Sequence, residues 1–557
     1  MMMMMVMILS KYPQMLKVLQ YEAVAKMDHG NEDCLIVVVL THGLEGGVLH
    51  AADNPYQESM LWIPFLGENC PSLAGKPKIF IIQACRGMEF DPGVTLNPKV
   101  VRDSDSSTSY RIPSHADFLI VHSTFEDYFQ KLLSMEKPKE KLIFHEPSHR
   151  NPDSQPPSRE KIMDIIGGLN NNKASGFVSW RDSIAGTWFI RSFCAEMRQN
   201  EEFEFLDMLT RVCHRVATDF EADEMKQMPS IYSTLTGDFI FSRKDSKRVS
   251  NEVQLPLTAP VEKSPANDSV AVKNEYFIKK ITSTLEPQTS RFSINLRREY
   301  PMNSAKRGRA IIFNHGTYYF TQADERKGTE KDVEELEKVF RRLGFELIIK
   351  DNPEFYEIRT TLKKEAQRDH SDTDCLVVCV LSHGCRLDDD MIWASDVPYY
   401  VHYLWDPFKE ENCSLRGKPK MFFIQACRGD GVDSGVILTK KAKYSWGSNP
   451  GKDPKKVEKD LLCHTANGSL PSDTLVFFSC SLDYGAYRHT ENGTCFIQNL
   501  VVELKESYES LDLVKIVTRT SRRVALDFES DEGNKQMPVV RSTLGAKVYF
   551  RSKKEIL

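Results

Sequence analysis

Residues 33–43 read Asp33-Cys-Leu-Ile-Val-Val-Val-Leu-Thr-His-Gly, and residues 374–384 read Asp374-Cys-Leu-Val-Val-Cys-Val-Leu-Ser-His-Gly. About 43 residues after each histidine stands Gln-Ala-Cys-Arg-Gly, centred on Cys85 in one copy and Cys427 in the other. Apolar runs, Ile79–Ile82 and Met421–Ile424, lead straight into the two pentapeptides. A short apolar run that ends abruptly in polar residues reads as a strand buried on both faces. Each copy therefore brings an imidazole and a thiol to the ends of two buried strands. That is a layout for nucleophilic catalysis.

The duplication extends well beyond these blocks. Asn69-Cys-Pro-Ser-Leu-Ala-Gly-Lys-Pro-Lys returns as Asn412-Cys-Ser-Leu-Arg-Gly-Lys-Pro-Lys, and Arg215-Val-Ala-Thr-Asp-Phe-Glu as Arg523-Val-Ala-Leu-Asp-Phe-Glu. Lys226-Gln-Met-Pro returns from Lys535. A unit this long, repeated once, means two homologous domains rather than a solenoid. The expected division is a truncated copy over 1–243, a polar linker over 244–298 and a more complete copy over 299–557. The second copy opens with Ala310–Asn314 as a strand, then Val333, Leu336, Val339, Phe340 and Leu343 at helical spacing, stopped by Gly344 before a strand at Phe345–Ile349. Strand, helix, strand predicts a βαβ unit and a parallel sheet under helices.

The first copy has no visible counterpart of that unit. It is expected to lack two strands and a helix and to leave apolar surface open. Its opening run, Met1–Met5, is expected to have no structural role. An insert at about 130–178 interrupts it, because His122-Ser-Thr-Phe-Glu-Asp-Tyr-Phe reads naturally into Ser179-Trp-Arg. The tail of that insert, Pro156–Gly176, resembles a short piece of a retrotransposon reverse transcriptase.

Composition is that of an ordinary globular protein, with 557 residues, 27% charged and a formal net charge of −5. No basic stripe points to nucleic acid, and no apolar run reaches the ~18 residues of a membrane helix. A secretory signal is not expected, and 13 cysteines without a CxxC pair fit buried thiols in a reducing compartment. The expected location is cytoplasmic, with the Asn-x-Ser/Thr triplets at Asn267, Asn467 and Asn492 unglycosylated. Cys213-His214 lacks partners at metal-ligand spacing and reads as a buried helix face.

A thiol near its usual pKa of about 8.5 is mostly protonated and needs a base within reach. His42 and His383 are the candidate bases for Cys85 and Cys427. Gly43 and Gly384 permit close backbone approach, so their N–H groups, with that of the cysteine, are candidates for an oxyanion hole. One isolated histidine or cysteine is more often a packed core residue; the repetition of both at one spacing reverses that expectation.

Gln-Ala-Cys-Arg-Gly with an upstream Ser/Thr-His-Gly is the caspase signature, and the chain resembles two insect effector caspases in tandem. The resemblance covers nearly all of residues 12–242 apart from the insert, and about 299–551. It implies an α/β caspase-like fold, a mostly parallel six-stranded sheet flanked by helices, present twice. It also implies cysteine endopeptidases that cleave after aspartate, act in apoptosis, are made as zymogens and pair through the last strand of the small subunit. By resemblance, Arg326, Gln425 and Arg488 hold the aspartate carboxylate in the second copy, while only Gln83 and Arg181 remain in the first. Trp180 and Trp188 wall the upstream subsites of the first copy. Tyr487 and Cys495 replace them in the second, and the expected result is loss of both aromatic walls. The loop Cys385–Asp390 is acidic where the first copy has Glu45-Gly46-Gly47, so acidic substrates are expected to be repelled there.

Processing candidates are Asp103, Asp105, Asp268, Asp433 and Asp460, of which Asp433 lies close to the nucleophile. Expected partners are protein substrates with exposed aspartate, inhibitor proteins, and a caspase-type dimer. That dimer is either an intramolecular pair, through strands near Tyr232–Phe241 and Val540–Phe550, or a homodimer. No cofactor, metal, nucleic acid or membrane partner is expected. The rival reading is a weak or inactive regulator that dimerises with active caspases.

Overall fold

The computed structural model describes residues 4–9, 22–44, 47–51, 54–86, 111–124, 126–127, 175–176, 179–182, 186–199, 202–220, 226–242, 299–319, 325–384, 391–409, 413–429, 431–437 and 470–553. The expected linker and nearly all of the insert lie outside them, as do Asp103, Asp105, Asp268, Asp460 and the loop 385–390. The insert's two ends meet, because Glu126–Asp127 pairs antiparallel with Ser175–Gly176.

One sheet of eleven strands runs through both copies. In the first copy these are β1 (Met4–Leu9), β2 (Cys34–Leu40), β3 (Lys78–Gln83), β4 (Phe118–His122) and β5 (Ser230–Ser233). The second copy supplies β6 (Lys306–Asn314), β7 (Glu346–Asp351), β8 (Thr373–Leu381), β9 (Lys420–Gln425), β10 (Thr474–Phe478) and β11 (Val539–Ser542). Their order in space is β1-β2-β3-β4-β5-β11-β10-β9-β8-β6-β7. Within each copy the strands are parallel except the last, β5 or β11, which is antiparallel to its neighbours. β8 and β9 are buried along their whole length, as a parallel sheet covered on both faces requires.

The period of two decides which side chain enters which core. In β8, Val377, Cys379 and Leu381 pack under the helices α3 (Thr329–Arg342), α5 (Cys495–Ser507) and α6 (Leu513–Asp527). Leu376, Val378 and Val380 face α4 (Phe355–Ala366) and Trp405. In the first copy Leu35, Val37 and Val39 meet Trp62 and Phe65. Cys34 and Ile36 face α1 (Trp188–Gln199) and α2 (Phe205–Asp219). Gly344 at φ 84 takes the left-handed position that ends α3. No helix among the described residues is long and apolar enough to cross a membrane.

The sheet departs from expectation in three ways. The methionine run is structural, since Met4–Leu9 pairs parallel with β2 from Met4↔Cys34 to Leu9↔Val39. Among the described residues the first copy is thus one strand shorter than the second, not two, and β1 covers the edge of β2 expected to stand open. The strands that join the copies are also shorter than expected. β5 and β11 span four residues each, and Ile240–Ser242 pairs instead with Glu202–Glu204.

That joint is antiparallel, with Ile231↔Ser542, Tyr232↔Arg541 and Ser233↔Val540 as partners. Tyr232 and Arg541 are the same position of the repeated Met-Pro-x-x-x-Ser-Thr-Leu segment. A local two-fold axis therefore passes between them, as in an isologous dimer.

Candidate active site

The strand register sets the site. Leu40 lies opposite Gln83, and Leu381 opposite Gln425. Each histidine follows its strand end at the same step as each cysteine, so His42 stands level with Cys85, and His383 with Cys427. Cys85 and Cys427 are half-buried. The glycines after the histidines have no room for a side chain. A β-carbon on Gly384 would lie 2.0 Å from the Cys427 carbonyl oxygen, and one on Gly43 would lie 2.1 Å from that of Cys85. Hydrogen bonds from Trp393 N–H to the His383 carbonyl, and from His50 N–H to that of His42, hold these segments flat. The N–H groups of Gly384 and Cys427 donate to no partner among the described residues.

The residue before each cysteine is braced by the serine that follows the next strand. Ser479 Oγ donates to the Ala426 carbonyl at 2.9 Å and Ser123 Oγ to that of Ala84 at 3.1 Å. The thiols meet the wall segments directly. Ala486 N–H donates to Cys427 Sγ at 3.3 Å, and Ser179 N–H to Cys85 Sγ at 3.4 Å.

Arg326 is 1% exposed. Its Nη1 donates to the His315 carbonyl at 3.1 Å and to Thr329 Oγ1 at 2.8 Å. Its Nε and Nη2 are buried with no hydrogen-bond partner among the described residues. Burial lowers its pKa to about 10, with Arg488 adding repulsion and Tyr318 and Cys427 adding attraction. Arg326, Arg488 and Cys427 thus share one electrostatic neighbourhood. Arg488 is half-buried, and its Nε donates to the Lys327 carbonyl at 2.9 Å, tying it to the Arg326 segment. Gln425, two residues before Cys427, is buried, its Oε1 without a partner among the described residues. In the first copy Gln83 Nε2 donates to Ser179 Oγ at 2.5 Å. Arg181 opens a short strand paired with Thr187, its side chain outside the described residues.

The aromatic walls differ from expectation. In the first copy Trp180 stacks on Trp188 at 5.5 Å between centroids, and Trp188 on Phe220 at 5.4 Å. In the second copy Tyr487 meets Phe528 at 5.1 Å, with Cys495 in the place of the middle ring. One aromatic wall therefore survives there, because Phe528 repeats Phe220.

Asp433 is not an exposed processing point. It is 6% exposed, and its carboxylate accepts from Ser114 N–H at 3.0 Å and Ser114 Oγ at 2.9 Å, across the joint between copies. Buried with donors and His115 around it, it is held below the usual carboxylate range. Val436–Ile437 pairs there with Arg111–Ile112 of the first copy.

Several contributors were not assigned from sequence. Tyr318 Oη accepts from His383 N–H at 2.9 Å and bonds Ser382 Oγ at 3.0 Å. Gln227 and Gln536 accept from Trp180 N–H and Tyr487 N–H, each at 2.8 Å. The repeated Lys-Gln-Met-Pro was the signal for these glutamines. For Tyr318 no local pattern exists. Cys213 lies buried on α2, its thiol pushed up to about 12.

Buried parallel strands that end level in a histidine and a half-buried cysteine, twice in one chain, place an imidazole base beside a thiol nucleophile. A family model described as the caspase domain matches residues 11–139, 169–240 and 307–549, and the chain belongs to the caspase family. It is 38% identical over 231 residues to caspase-1 of Spodoptera frugiperda, across 40% of this chain and 60% of that protein. To caspase-1 of Drosophila melanogaster it is 34% identical over 263 residues, covering 46% and 76%. To caspase-3 of Xenopus laevis it is 33% identical over 252 residues, covering 45% and 83%. The crystal structure of the Spodoptera caspase-1 is 34% identical, with a TM-score of 0.40, covering 46% of this chain and 95% of that one. The chain spans less than two thirds of the length of the Spodoptera relative.

Proposed function

We propose that this chain is a cytoplasmic cysteine endopeptidase that cleaves protein substrates after aspartate, of the apoptotic effector type, with the second copy as the working one. The observation that carries the reading is Arg326, a buried guanidinium with two donor nitrogens open in the electrostatic neighbourhood of Cys427 and Arg488. A carboxylate is the natural group to fill such donors. Among the described residues the first copy has no counterpart of Arg326.

In this reading His383 takes the proton of Cys427 as Sγ attacks the scissile carbonyl carbon. The N–H groups of Gly384 and Cys427 hold the oxyanion. His383 then protonates the leaving amine nitrogen, and water releases the acyl group from Sγ by the reverse proton path. Arg326, Gln425 and Arg488 hold the substrate aspartate, while Tyr487 on Phe528 packs the residue upstream of it. His42, Cys85, Gly43, Gln83, Arg181, Trp180 and Trp188 form the corresponding set in the first copy, over residues 1–243, with 299–557 as the second unit.

Cleavage of an aspartate-containing reporter peptide is the test. Cys427→Ala abolishes it and Cys85→Ala leaves it; the opposite pattern sinks the assignment. The rival reading, a regulator that pairs with other caspases, draws support from Cys495 in the place of a tryptophan. Against it, the strands it would offer, β5 and β11, are already paired with each other within the chain.

A further inference from the structure

The joint between the copies continues on the helical side of the sheet as a charged seam. On one side of the two-fold, Lys547 Nζ lies 2.5 Å from Asp207 Oδ2 and 3.8 Å from Asp512 Oδ2. On the other, Lys515 Nζ lies 3.6 Å from Asp238 Oδ2. The repeat makes these two contacts the same contact. Asp207 and Lys515 occupy one position before the repeated Arg-Val-Ala, and Asp238 and Lys547 one position after the repeated Ser-Thr-Leu. Glu204 and Asp512 match as the N-caps of α2 and α6.

The first copy therefore carries acid at both positions and the second carries lysine at both. Lys547–Asp207 and Lys515–Asp238 each join unlike copies, while Lys547 also lies near Asp512 of its own copy. Were two first copies to pair in this geometry, each seam would hold Asp207, Asp238 and Glu204 with no cation from these positions. Two second copies would set Lys515 against Lys547 on each side, with Asp512 the one acid from these positions, and Arg541 against Arg541 on the axis. Lys515 and Lys547 are 5% and 9% exposed, so water screens little of that repulsion. Lys515 also stands in the first turn of α6, where the helix dipole disfavours a cation. Its reason to be there comes from the other copy.

We propose that these four residues are a charge code that makes each copy the partner of the other and rejects pairing of either copy with its own kind. The proposal stands apart from the proteolytic reading, since it concerns only the joint. Crowding of acids in the first copy has a visible effect. Burial first, and then Asp207, push the Glu204 carboxyl up to about 8.

Two full-length variants test the code. D207K/D238K makes every seam position lysine, and K515D/K547D makes every one acidic. In each, the two copies of a chain now repel, and the expected result is a melting midpoint lower by about 5 °C or more. Mixed together under different tags, the two variants form a particle with one chain of each, because the lysine first copy of one now fits the acidic second copy of the other. The fourfold variant D207K/D238K/K515D/K547D restores opposite charges and regains the wild-type midpoint, which separates the code from simple misfolding. Absence of the mixed particle, or a fourfold variant that melts no higher than the twofold ones, overturns the proposal.

Discussion

Arg86 and Glu58 form a two-point ion pair in the first copy, with Nη1–Oε2 at 2.6 Å and Nη2–Oε1 at 3.0 Å. Both are buried, and His122 Nε2 lies 3.1 Å from the same carboxylate. In the second copy the matching arginine, Arg428, lies over the Phe478 ring at 4.1 Å, and Val401 stands where Glu58 does. The arginine after each cysteine is thus anchored by charge in one copy and by an aromatic face in the other.

Removal of Glu58 takes the two-point carboxylate partner from a buried guanidinium. Glu58→Ala is expected to destabilise the chain by about 3–5 kcal/mol, read from denaturant unfolding. The double change E58V/H122F copies the second site's solution and is expected to cost less than Glu58→Ala alone. Glu58 is buried but held at about 2 by Arg86 and His122, which outweigh desolvation. Its stabilisation is therefore present above its ordinary value of 4.5 and lost as pH falls from there towards 2.

Arg326→Lys keeps the charge and loses the fork. We expect it to lower kcat/KM for an aspartate reporter by about 100- to 1000-fold, with little change in melting temperature. An equal loss with a reporter lacking aspartate is the result that refutes a carboxylate-binding role.

Gly384→Ala forces a β-carbon against the Cys427 backbone, whose carbonyl oxygen and carbon lie 2.0 Å and 2.7 Å from it. Neither atom can yield without moving the nucleophile. Reporter cleavage is expected to fall by at least about 100-fold. The matching Gly43→Ala is expected to destabilise the first copy by about 1–3 kcal/mol while cleavage persists.

Glu204 gives the joint a pH response of known sign. A carboxyl pushed up to about 8 binds more protons folded than unfolded, so its contribution lowers stability as pH rises from 4.5 to about 8 and is level above that. Glu204→Gln, which keeps an oxygen to accept from Leu206 and Asp207 N–H, is expected to flatten that part of the curve. Melting curves of the two proteins across that range check it; parallel slopes count against the assignment.

Much of the scaffold was legible because its signals are local. β2, β3, β8 and β9 announce themselves as apolar runs, and Gly344 marks a helix end through backbone freedom alone. β1 was missed because a methionine run carries no strand period, and only the open edge of β2 makes it one. Tyr318, Phe220 and Phe528 reach the site from distant segments, and no spacing rule connects them to a histidine or cysteine.

Chemistry and duplication belong to the chain itself: each Ser/Thr-His-Gly or Gln-Ala-Cys-Arg-Gly block lies within a few residues of the hydrophobic run that makes its carrier a strand. Which groups meet across the repeat was decided only on folding. Tyr232 opposite Arg541, Asp433 against Ser114 and the lysines against the aspartates join residues hundreds of positions apart, and their charges acquire meaning only when one sheet brings the two copies edge to edge.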